Sequence, residues 1–301
     1  MKIEGVVVSC YRLDLHLTRI CVASIRFWYP DIPVWLLKDR KSGEFATAEI
    51  ERHWNVQVHP SRQQTQGWGF GKLEVMTQLP ARRFLFLDSD IVFAGRVLDR
   101  LEQFDDDFIV DKEEFAPADV GVQFFAVDKL QQLDPSFAFP GYGFNGGQIV
   151  ATTGRITEAD FDGLLDWQTR TVQHLDIFQK GDQGLTNYVV LRKAQRGEIS
   201  LRREPFMVWP GDAGRAQHIH LSDLTATSPH AQVIHWAGLA WGKTVEEMPR
   251  AEILQHFEDL YYSRIPTGAA VRRYRRARFS TERALVTPLK DAARRVLGKL
   301  R

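Results

Sequence analysis

The first part of the chain alternates short apolar segments with segments whose apolar residues recur at helical spacing. Strands are predicted at 3–9, 33–37, 56–59 and 83–87, and helices between them at 14–28, 44–53 and 71–79. This alternation predicts an α/β fold, in which a mostly parallel central sheet is flanked by helices. Later segments complete the same domain, with strands predicted at 108–111, 122–127, 148–152 and 232–235, a loop at 134–147, and helices at 158–173, 182–192 and 245–260.

The composition is ordinary for a soluble globular protein. Of the 301 residues, 44% are hydrophobic, which is enough to bury one large core or two small ones. No apolar run reaches the roughly 18 to 20 residues of a transmembrane helix. Residues 1–10 lack the features of a signal peptide and are interpreted as the first core strand. Because Cys10 and Cys21 are too few for a disulfide framework, we expect a cytoplasmic, reducing location.

Charge is distributed unevenly along the chain. Residues 268–301 carry eleven Lys or Arg and two acids, a net charge of +9, so residues 1–267 carry −8 when the whole chain carries +1. Apolar residues are interleaved with these basic ones, and Pro288 divides the segment into two predicted short helices. Such a segment can lie on an anionic membrane surface, and the alternative is a solvated basic tail. Nucleic-acid binding is not expected, because the body is acidic and shows no recognised nucleic-acid module.

One motif follows directly from a predicted buried strand. The strand at 83–87 leads into Asp88-Ser89-Asp90, and ligands of open α/β sheets bind at the carboxyl ends of strands. Two carboxylates there suit a hard divalent cation, Mn²⁺ or Mg²⁺. Such a cation can bridge a diphosphate and neutralise charge as a nucleoside diphosphate leaves. Since Asp-x-Asp is common, a pair of solvated acids at a strand end is the alternative.

Two further segments favour a ligand site. In Gly143-Phe144-Asn145-Gly146-Gly147 the small residues let the backbone approach a ligand, and the Asn amide can bind hydroxyls; the alternative is a plain turn. His235-Trp236-Ala237-Gly238 ends a short predicted strand, and Lys243 follows. The imidazole is a ligand that Mn²⁺ accepts, and the ammonium can meet a phosphate, although a packed histidine is the commoner role.

In this order, the motifs resemble those of glycosyltransferase family 8, the glycogenin-like and lipopolysaccharide galactosyltransferase-like enzymes of the GT-A fold. The resemblance extends over residues 3–243. The matching segments are Lys72-Leu73 with Leu79-Pro80 and Leu87-Asp88-Ser89-Asp90, similar to the family's basic residue, helix and Asp-x-Asp strand; Phe144-Asn145-Gly146-Gly147, similar to Phe-Asn-Ala/Ser-Gly; Asp182-Gln183 with Asn187, similar to Asp-Gln-Asp-x-x-Asn; and His235-Trp236-Ala237-Gly238, similar to His-Phe/Trp-x-Gly.

The resemblance implies a Rossmann-like nucleotide-diphospho-sugar transferase domain over residues 1–267, with 268–301 as a basic amphipathic tail. It implies retaining, Mn²⁺-dependent (or Mg²⁺-dependent) transfer of a hexose from a nucleotide-sugar, UDP-glucose or UDP-galactose, to a glycan or lipid-linked acceptor of the cell envelope. Asp88, Asp90 and His235 would bind the metal, and Asp182 and Gln183 would lie near the reacting carbon of the sugar. The residues implied for donor binding are Ser9, Tyr11, Lys72, Asp88, Ser89, Asn145, Gly146, Gly147, Gly238 and Lys243.

The sequence departs from the family in three places. After the first strand the family has an acid followed by a tyrosine, whereas Tyr11 precedes Asp14 here. Gly184 replaces the second acid of Asp-Gln-Asp, and Lys243 lies two residues later than the family's lysine. Trp68 and Trp241 lie beside glycines near the predicted site, so either could stack on a sugar ring.

Two other functions fit part of the pattern. Haloacid-dehalogenase-type phosphatases also place Asp-x-Asp after an apolar strand, the first acid being a nucleophile, but they carry it on the first strand of the domain. A catalytically degenerate domain could bind a sugar nucleotide without transferring the sugar. Phosphate release from a phosphomonoester would identify the first, and the absence of donor hydrolysis with Mn²⁺ would identify the second.

Overall fold

A seven-stranded sheet forms the centre of the computed structural model, which describes residues 1–41, 43–60, 67, 69–113, 115, 117–178, 181–211, 216–239 and 243–282. The strands of the chain are β1 (Gly5–Tyr11), β2 (Val34–Asp39), β3 (Gln57–Val58), β4 (Arg83–Leu87), β5 (Ile91–Phe93), β6 (Phe108–Asp111), β7 (Gln148–Thr152), β8 (Leu165–Asp166), β9 (Thr171–Val172), β10 (Leu201–Glu204), β11 (Met207–Val208) and β12 (Val233–His235). The helices are α1 (Leu15–Trp28), α2 (Ala48–Trp54), α3 (Phe70–Met76), α4 (Val97–Leu101), α5 (Pro117–Gln123), α6 (Val127–Leu133), α7 (Asp182–Gln195), α8 (Ala251–Ser263) and α9 (268–282).

The order of the central sheet is β10-β6-β7-β4-β1-β2-β3. Its pairs are parallel except those of β7, which runs antiparallel to both β4 and β6. A smaller sheet of order β11-β12-β5 begins immediately beyond the carboxyl end of β4, and β8 pairs with β9 in a hairpin. The predicted α/β fold with a mostly parallel central sheet is therefore confirmed.

Both faces of the central sheet are covered. Because side chains alternate across a strand, Leu85 and Leu87 of β4 enter the core shared with α1, α8 and the small sheet, whereas Phe84 and Phe86 enter the core shared with α3 and α7. All four side chains are buried. Burial on two faces explains why β4 is a continuous apolar run in the sequence.

Two predicted elements are wrong. The segment 122–127 is not a strand, because α5 ends at Gln123, α6 begins at Val127, and Phe124 and Phe125 between them are buried in the core. The segment 158–173 is not a helix. A capping box at Thr157 opens a single 3₁₀ turn, Glu158–Phe161, after which Gly163 takes φ +73° and the hairpin β8–β9 follows.

Helix α9 lies against the domain through ionic and aromatic contacts. Arg272 and Arg276 pair with Glu258 of α8, and Arg275 pairs with Glu49 of α2. The ring of Phe279 lies 5.1 Å from that of His16 in α1. The first half of the predicted basic tail thus uses arginines to bind the body of the protein. The second half, 283–301, and the candidate stacking residues Trp68 and Trp241 lie outside the described residues.

Within the described part of the chain, no helix is both long enough and apolar enough to cross a membrane. Cys10 and Cys21 are buried as free thiols.

Candidate metal centre

Three candidate ligands meet where the two sheets join. Asp88 and Asp90 follow β4, and His235 is the last residue of β12, which pairs antiparallel with β5 so that His235 lies opposite Ile91. One ligand atom from each of the three residues lies within 4.8 Å of the other two. A hydrogen bond from the amide of Trp236 to the carbonyl of Asp90, at 3.0 Å, fixes the two segments relative to each other.

The donor set suits a divalent cation. His235 is 1% exposed, and neither ring nitrogen has a hydrogen-bond partner among the described residues. Its Nε2 lies 3.2 Å from Oδ1 of Asp90 without hydrogen-bond geometry, which is an arrangement expected of two ligands that share a cation. Two carboxylates and one imidazole are ligands that Mn²⁺ accepts, so Asp88, Asp90 and His235 can hold a metal ion.

Lys72 joins this cluster to the glycine-rich loop. Its Nζ donates to Oδ1 of Asp88 at 2.8 Å and to the carbonyl oxygen of Gly146 at 2.6 Å, and the side chain is buried. Burial alone lowers the pKa of Lys72, but the charges of Asp88 and Asp182 outweigh it and hold the pKa above its ordinary value. The ammonium therefore stays charged beside the carboxylates.

The glycine-rich loop packs closely on the ligands. The amide of Asp88 donates to the carbonyl of Gly147 at 2.7 Å. A Cβ atom on Gly147 would lie 2.2 Å from Cε1 of His235 and 3.0 Å from Oδ2 of Asp88, so only glycine fits there. Asn145 accepts from the amide of Gly147 at 2.7 Å through its own Oδ1. Asn187 of α7, fully buried, exchanges two hydrogen bonds with the backbone of Phe144.

Helix α7 places two polar side chains beside the cluster. Asp182 is its first residue, and its carboxylate lies directly over Gly69, which takes φ +77°. Burial raises the pKa of Asp182 to about 7, with Lys72 opposing the shift and Asp88 adding to it. Gln183 accepts from the amide of Gly146 at 3.0 Å and donates to the carbonyl of Gln123 at 2.9 Å.

A fourth acid lies near Asp88 and Asp90. Asp14 closes the turn after β1, and burial together with the charges of Asp90 and Asp88 raises its pKa to about 7. Four acids and one buried lysine thus lie together, and even with the pKa of Asp14 and of Asp182 raised to about 7 the site carries an excess of negative charge. An anionic diphosphate would be repelled there unless a cation offset these charges, which again favours metal binding.

The remaining residues predicted to bind the donor come from β1, from the Asp-Ser-Asp motif and from the segment after β12. Ser9 and Tyr11 lie at the carboxyl end of β1, beside Leu37 and Asp39 of β2. Ser89 lies buried between the two aspartates. Gly238 forms a turn after β12 with φ +71°. Lys243 follows residues 240–242, which lie outside the described part, and no described contact joins it to the cluster.

No role was predicted from the sequence for Trp209 or Glu113, yet both lie close to His235 or to its neighbours in the structure. The indole of Trp209 lies 5.4 Å from the imidazole of His235 at an angle of 17°, and its Nε1 donates to Oε1 of Glu113 at 2.6 Å. No local motif signals this contact, because it depends on the pairing of β11 with β12.

No family model matches the sequence, and no curated protein matches it. Solved structures do match. The galactosyltransferase LgtC, in complex with donor and acceptor sugar analogues, gives a TM-score of 0.55 at 18% identity, over 86% of this chain and 95% of that one. The bifunctional glycosyltransferase WbbM gives 0.56 at 14% identity, and this chain covers 50% of it with 86% of its own length. The glycosyltransferase GlyE of Streptococcus pneumoniae gives 0.53 at 14% identity, over 90% of this chain and 62% of that one.

This chain therefore spans about half of WbbM and less than two thirds of GlyE, but nearly the full length of LgtC. At these identities the likeness shows the fold, and the chain has the GT-A fold of these glycosyltransferases.

Proposed function

We propose that the protein is a Mn²⁺-dependent, retaining glycosyltransferase of the family 8 type, which transfers a hexose from UDP-glucose or UDP-galactose to a glycan or lipid-linked acceptor. The observation that carries the proposal is the cluster of Asp88, Asp90 and His235 beside the buried Lys72, at the carboxyl end of β4 in a GT-A fold. LgtC, which shares this fold, is a galactosyltransferase whose structure contains donor and acceptor sugar analogues.

Asp88, Asp90 and His235 would hold the cation, and Mg²⁺ is the alternative to Mn²⁺. When bound, the cation supplies positive charge that offsets the charge developing on the leaving diphosphate. Lys72 would add a second positive charge on the side of the glycine-rich loop. Ser9 and Tyr11, with Ser89, would contact the nucleotide, and Asn145, Gly146, Gly147, Gly238 and Lys243 would contact the diphosphate and sugar.

Asp182 and Gln183 would face the reacting carbon. Both lie at the start of α7 next to the glycine-rich loop, and Gln183 is fixed by two backbone hydrogen bonds. A side chain fixed in this way can orient a sugar without being reorganised during the reaction. Retention would follow from attack on the same face that the nucleotide leaves, with the leaving phosphate accepting the proton of the acceptor hydroxyl.

A hydrolysis screen tests the proposal. UDP-glucose, UDP-galactose, UDP-GlcNAc and GDP-sugars are incubated with the protein in Mn²⁺ or in EDTA. We expect Mn²⁺-dependent release of the nucleoside diphosphate from one UDP-hexose. Asp88→Asn, Asp90→Asn and His235→Ala should each reduce the rate on the order of a hundredfold or more.

The matched control is Asp128→Asn, an exposed acid on α6, which should keep the parent rate. Full activity in EDTA, or in either aspartate variant of the cluster, would contradict the proposal. The screen also addresses the degenerate alternative, since donor binding without hydrolysis in Mn²⁺ would favour a sugar-nucleotide-binding protein. The phosphatase alternative loses its basis, because Asp88 follows the fourth strand of a GT-A fold.

We also propose that the protein is cytoplasmic and meets a lipid-linked acceptor at an anionic membrane surface. Arg272, Arg275 and Arg276 form ion pairs with acids of the domain. The membrane contact would therefore be made by the basic residues of 283–301, together with the exposed Arg273 and Arg278 of α9. Each basic residue near such a surface contributes about 1 kcal/mol.

The membrane proposal is tested with a truncation after Glu282, which keeps the contacts of α9 with the domain. The truncated protein should lose binding to vesicles that contain anionic lipid at low salt, and it should retain donor hydrolysis. Equal vesicle binding by the truncated and full-length proteins would reject the proposal.

A further inference from the structure

The indole of Trp209 lies against one face of the His235 ring. Trp209 follows β11, which runs parallel to β12 with Met207 beside Val233 and Val208 beside Ile234. The next residue of each strand continues this register, so Trp209 comes level with His235. The ring centroids lie 5.4 Å apart and the planes differ by 17°, which is a stacked arrangement.

The stack restrains a ring to which the described residues make no hydrogen bond. A metal-binding histidine ordinarily donates its second ring N–H to a carboxylate, carbonyl or water, which fixes the plane of the imidazole. In His235, both ring nitrogens lack hydrogen-bond partners among the described residues. Rotation about the bond to an imidazole ring has a broad energy profile, and the parallel face of Trp209 resists it together with Gly147, which packs against Cε1.

Trp209 is itself held by a hydrogen bond to a residue that follows a strand of the central sheet. Its Nε1 donates to Oε1 of Glu113 at 2.6 Å. Glu113 follows β6, and its carbonyl oxygen accepts from Nη2 of Arg203 in β10 at 3.0 Å. The indole therefore links the segment that follows β6 of the central sheet to the imidazole of His235.

We propose that Trp209, anchored by Glu113, is a positioning residue that sets the plane of the His235 imidazole for cation binding. The inference rests on the proposed function, because it requires His235 to be a metal ligand. It predicts that loss of the stacked ring weakens cation binding while the fold and the donor contacts persist.

The test measures Mn²⁺ binding to the full-length protein from the electron paramagnetic resonance signal of free Mn²⁺, with no sugar nucleotide present. Trp209→Leu should weaken Mn²⁺ binding on the order of tenfold or more, as substitution of outer-shell partners of metal ligands does. Trp209→Phe retains an aromatic face and should restore most of the affinity. Glu113→Gln keeps an acceptor for the indole and should resemble the parent, whereas Glu113→Ala should weaken binding.

A second readout is the visible spectrum of the Co²⁺-substituted protein, whose bands report ligand geometry. They should shift in Trp209→Leu and return in Trp209→Phe. Trp167→Leu is the matched control, because Trp167 is also partly buried and also donates through Nε1, to the carbonyl of Glu158 at 3.3 Å. This variant should bind Mn²⁺ and Co²⁺ as the parent does.

The possible failures are distinguishable. If the parent binds Mn²⁺ no better than Asp88→Asn does, the metal site of the proposed function is wrong. If the parent binds Mn²⁺ well and Trp209→Leu matches it in affinity and Co²⁺ spectrum, the positioning role is overturned and the proposed function stands. An equal loss in Trp209→Phe and Trp209→Leu would also overturn it.

Discussion

Nζ of Lys72 donates to Oδ1 of Asp88 at 2.8 Å, so a buried ammonium occupies one oxygen of a candidate metal ligand. The same ammonium also donates to the carbonyl of Gly146. On the proposed function, Lys72 would have two opposing effects on ligand binding. It would compete with the cation for Asp88 and repel that cation, and it would attract the diphosphate of the donor.

Lys72→Met should separate these effects. Without donor, Mn²⁺ affinity should rise, on the order of tenfold, because a repelling charge and a competitor for Asp88 are removed. UDP affinity and donor hydrolysis should fall by a similar or larger factor. Titration of Mn²⁺, followed by electron paramagnetic resonance, would give the Mn²⁺ affinity, and titration of UDP by calorimetry would give the UDP affinity. Lys129→Met, which removes an exposed lysine paired with Asp176, should change neither, and a loss of Mn²⁺ affinity in Lys72→Met would contradict the interpretation.

Gly147→Ala should disrupt the proposed metal centre by steric contact alone. The added methyl would lie 2.2 Å from Cε1 of His235 and 2.8 Å from Oδ1 of Asn145. Because His235 is buried, it cannot yield without leaving its position, so Mn²⁺ affinity should fall at least about tenfold. Gly121→Ala is the control, since among the described residues no atom beyond its chain neighbours and its own helix backbone lies within 4 Å of the added methyl. It should keep Mn²⁺ affinity and stabilise α5 by about 0.5 kcal/mol. Parental Mn²⁺ affinity in Gly147→Ala would show that the loop does not contact the candidate ligands as described.

Gln183→Ala should reduce turnover more than donor affinity. Its amide joins Gly146 to Gln123, so the substitution removes two hydrogen bonds that orient the loop near the proposed reacting carbon. Steady-state kinetics would give kcat and KM, and calorimetry the donor affinity. The same reaction, followed by NMR in the parent protein, should yield an α-linked product from an α-linked donor. A β-linked product would exclude the retaining assignment.

The sequence predicts best what is buried on two faces or lies within one motif. Strands β4, β6 and β7 have the predicted bounds because their apolar runs are continuous. The run around Phe124 and Phe125 was ambiguous, because two phenylalanines between short helices have the same apolar pattern as a buried strand.

The same distinction applies to the site. Asp88 and Asp90 are adjacent to one strand, so their placement follows from that strand alone. The meeting of His235 with them was predicted only through a family resemblance, because it depends on the pairing of β12 with β5, which the sequence did not predict. The stack of Trp209 on His235 depends on the register of two short strands, and no periodicity within either strand contains that information.

Stability should depend on pH through His16. The ring lies in the first turn of α1 against Phe279 of α9, and burial, with Arg19, lowers its pKa to about 4. Between about pH 6.5 and that value the unfolded chain binds a proton that the folded protein excludes, so stability falls as pH falls, by at most about 1.4 kcal/mol per pH unit. The partial exposure of the ring reduces this slope.

Urea unfolding at about pH 7 and about pH 5 measures this effect. The free energy of unfolding should fall less between the two pH values in His16→Gln than in the parent. The control is His53→Gln, which replaces a histidine of α2 and should behave as the parent does. If His16→Gln and the parent lose the same free energy of unfolding between the two pH values, the ring is not held neutral at the interface of α1 and α9.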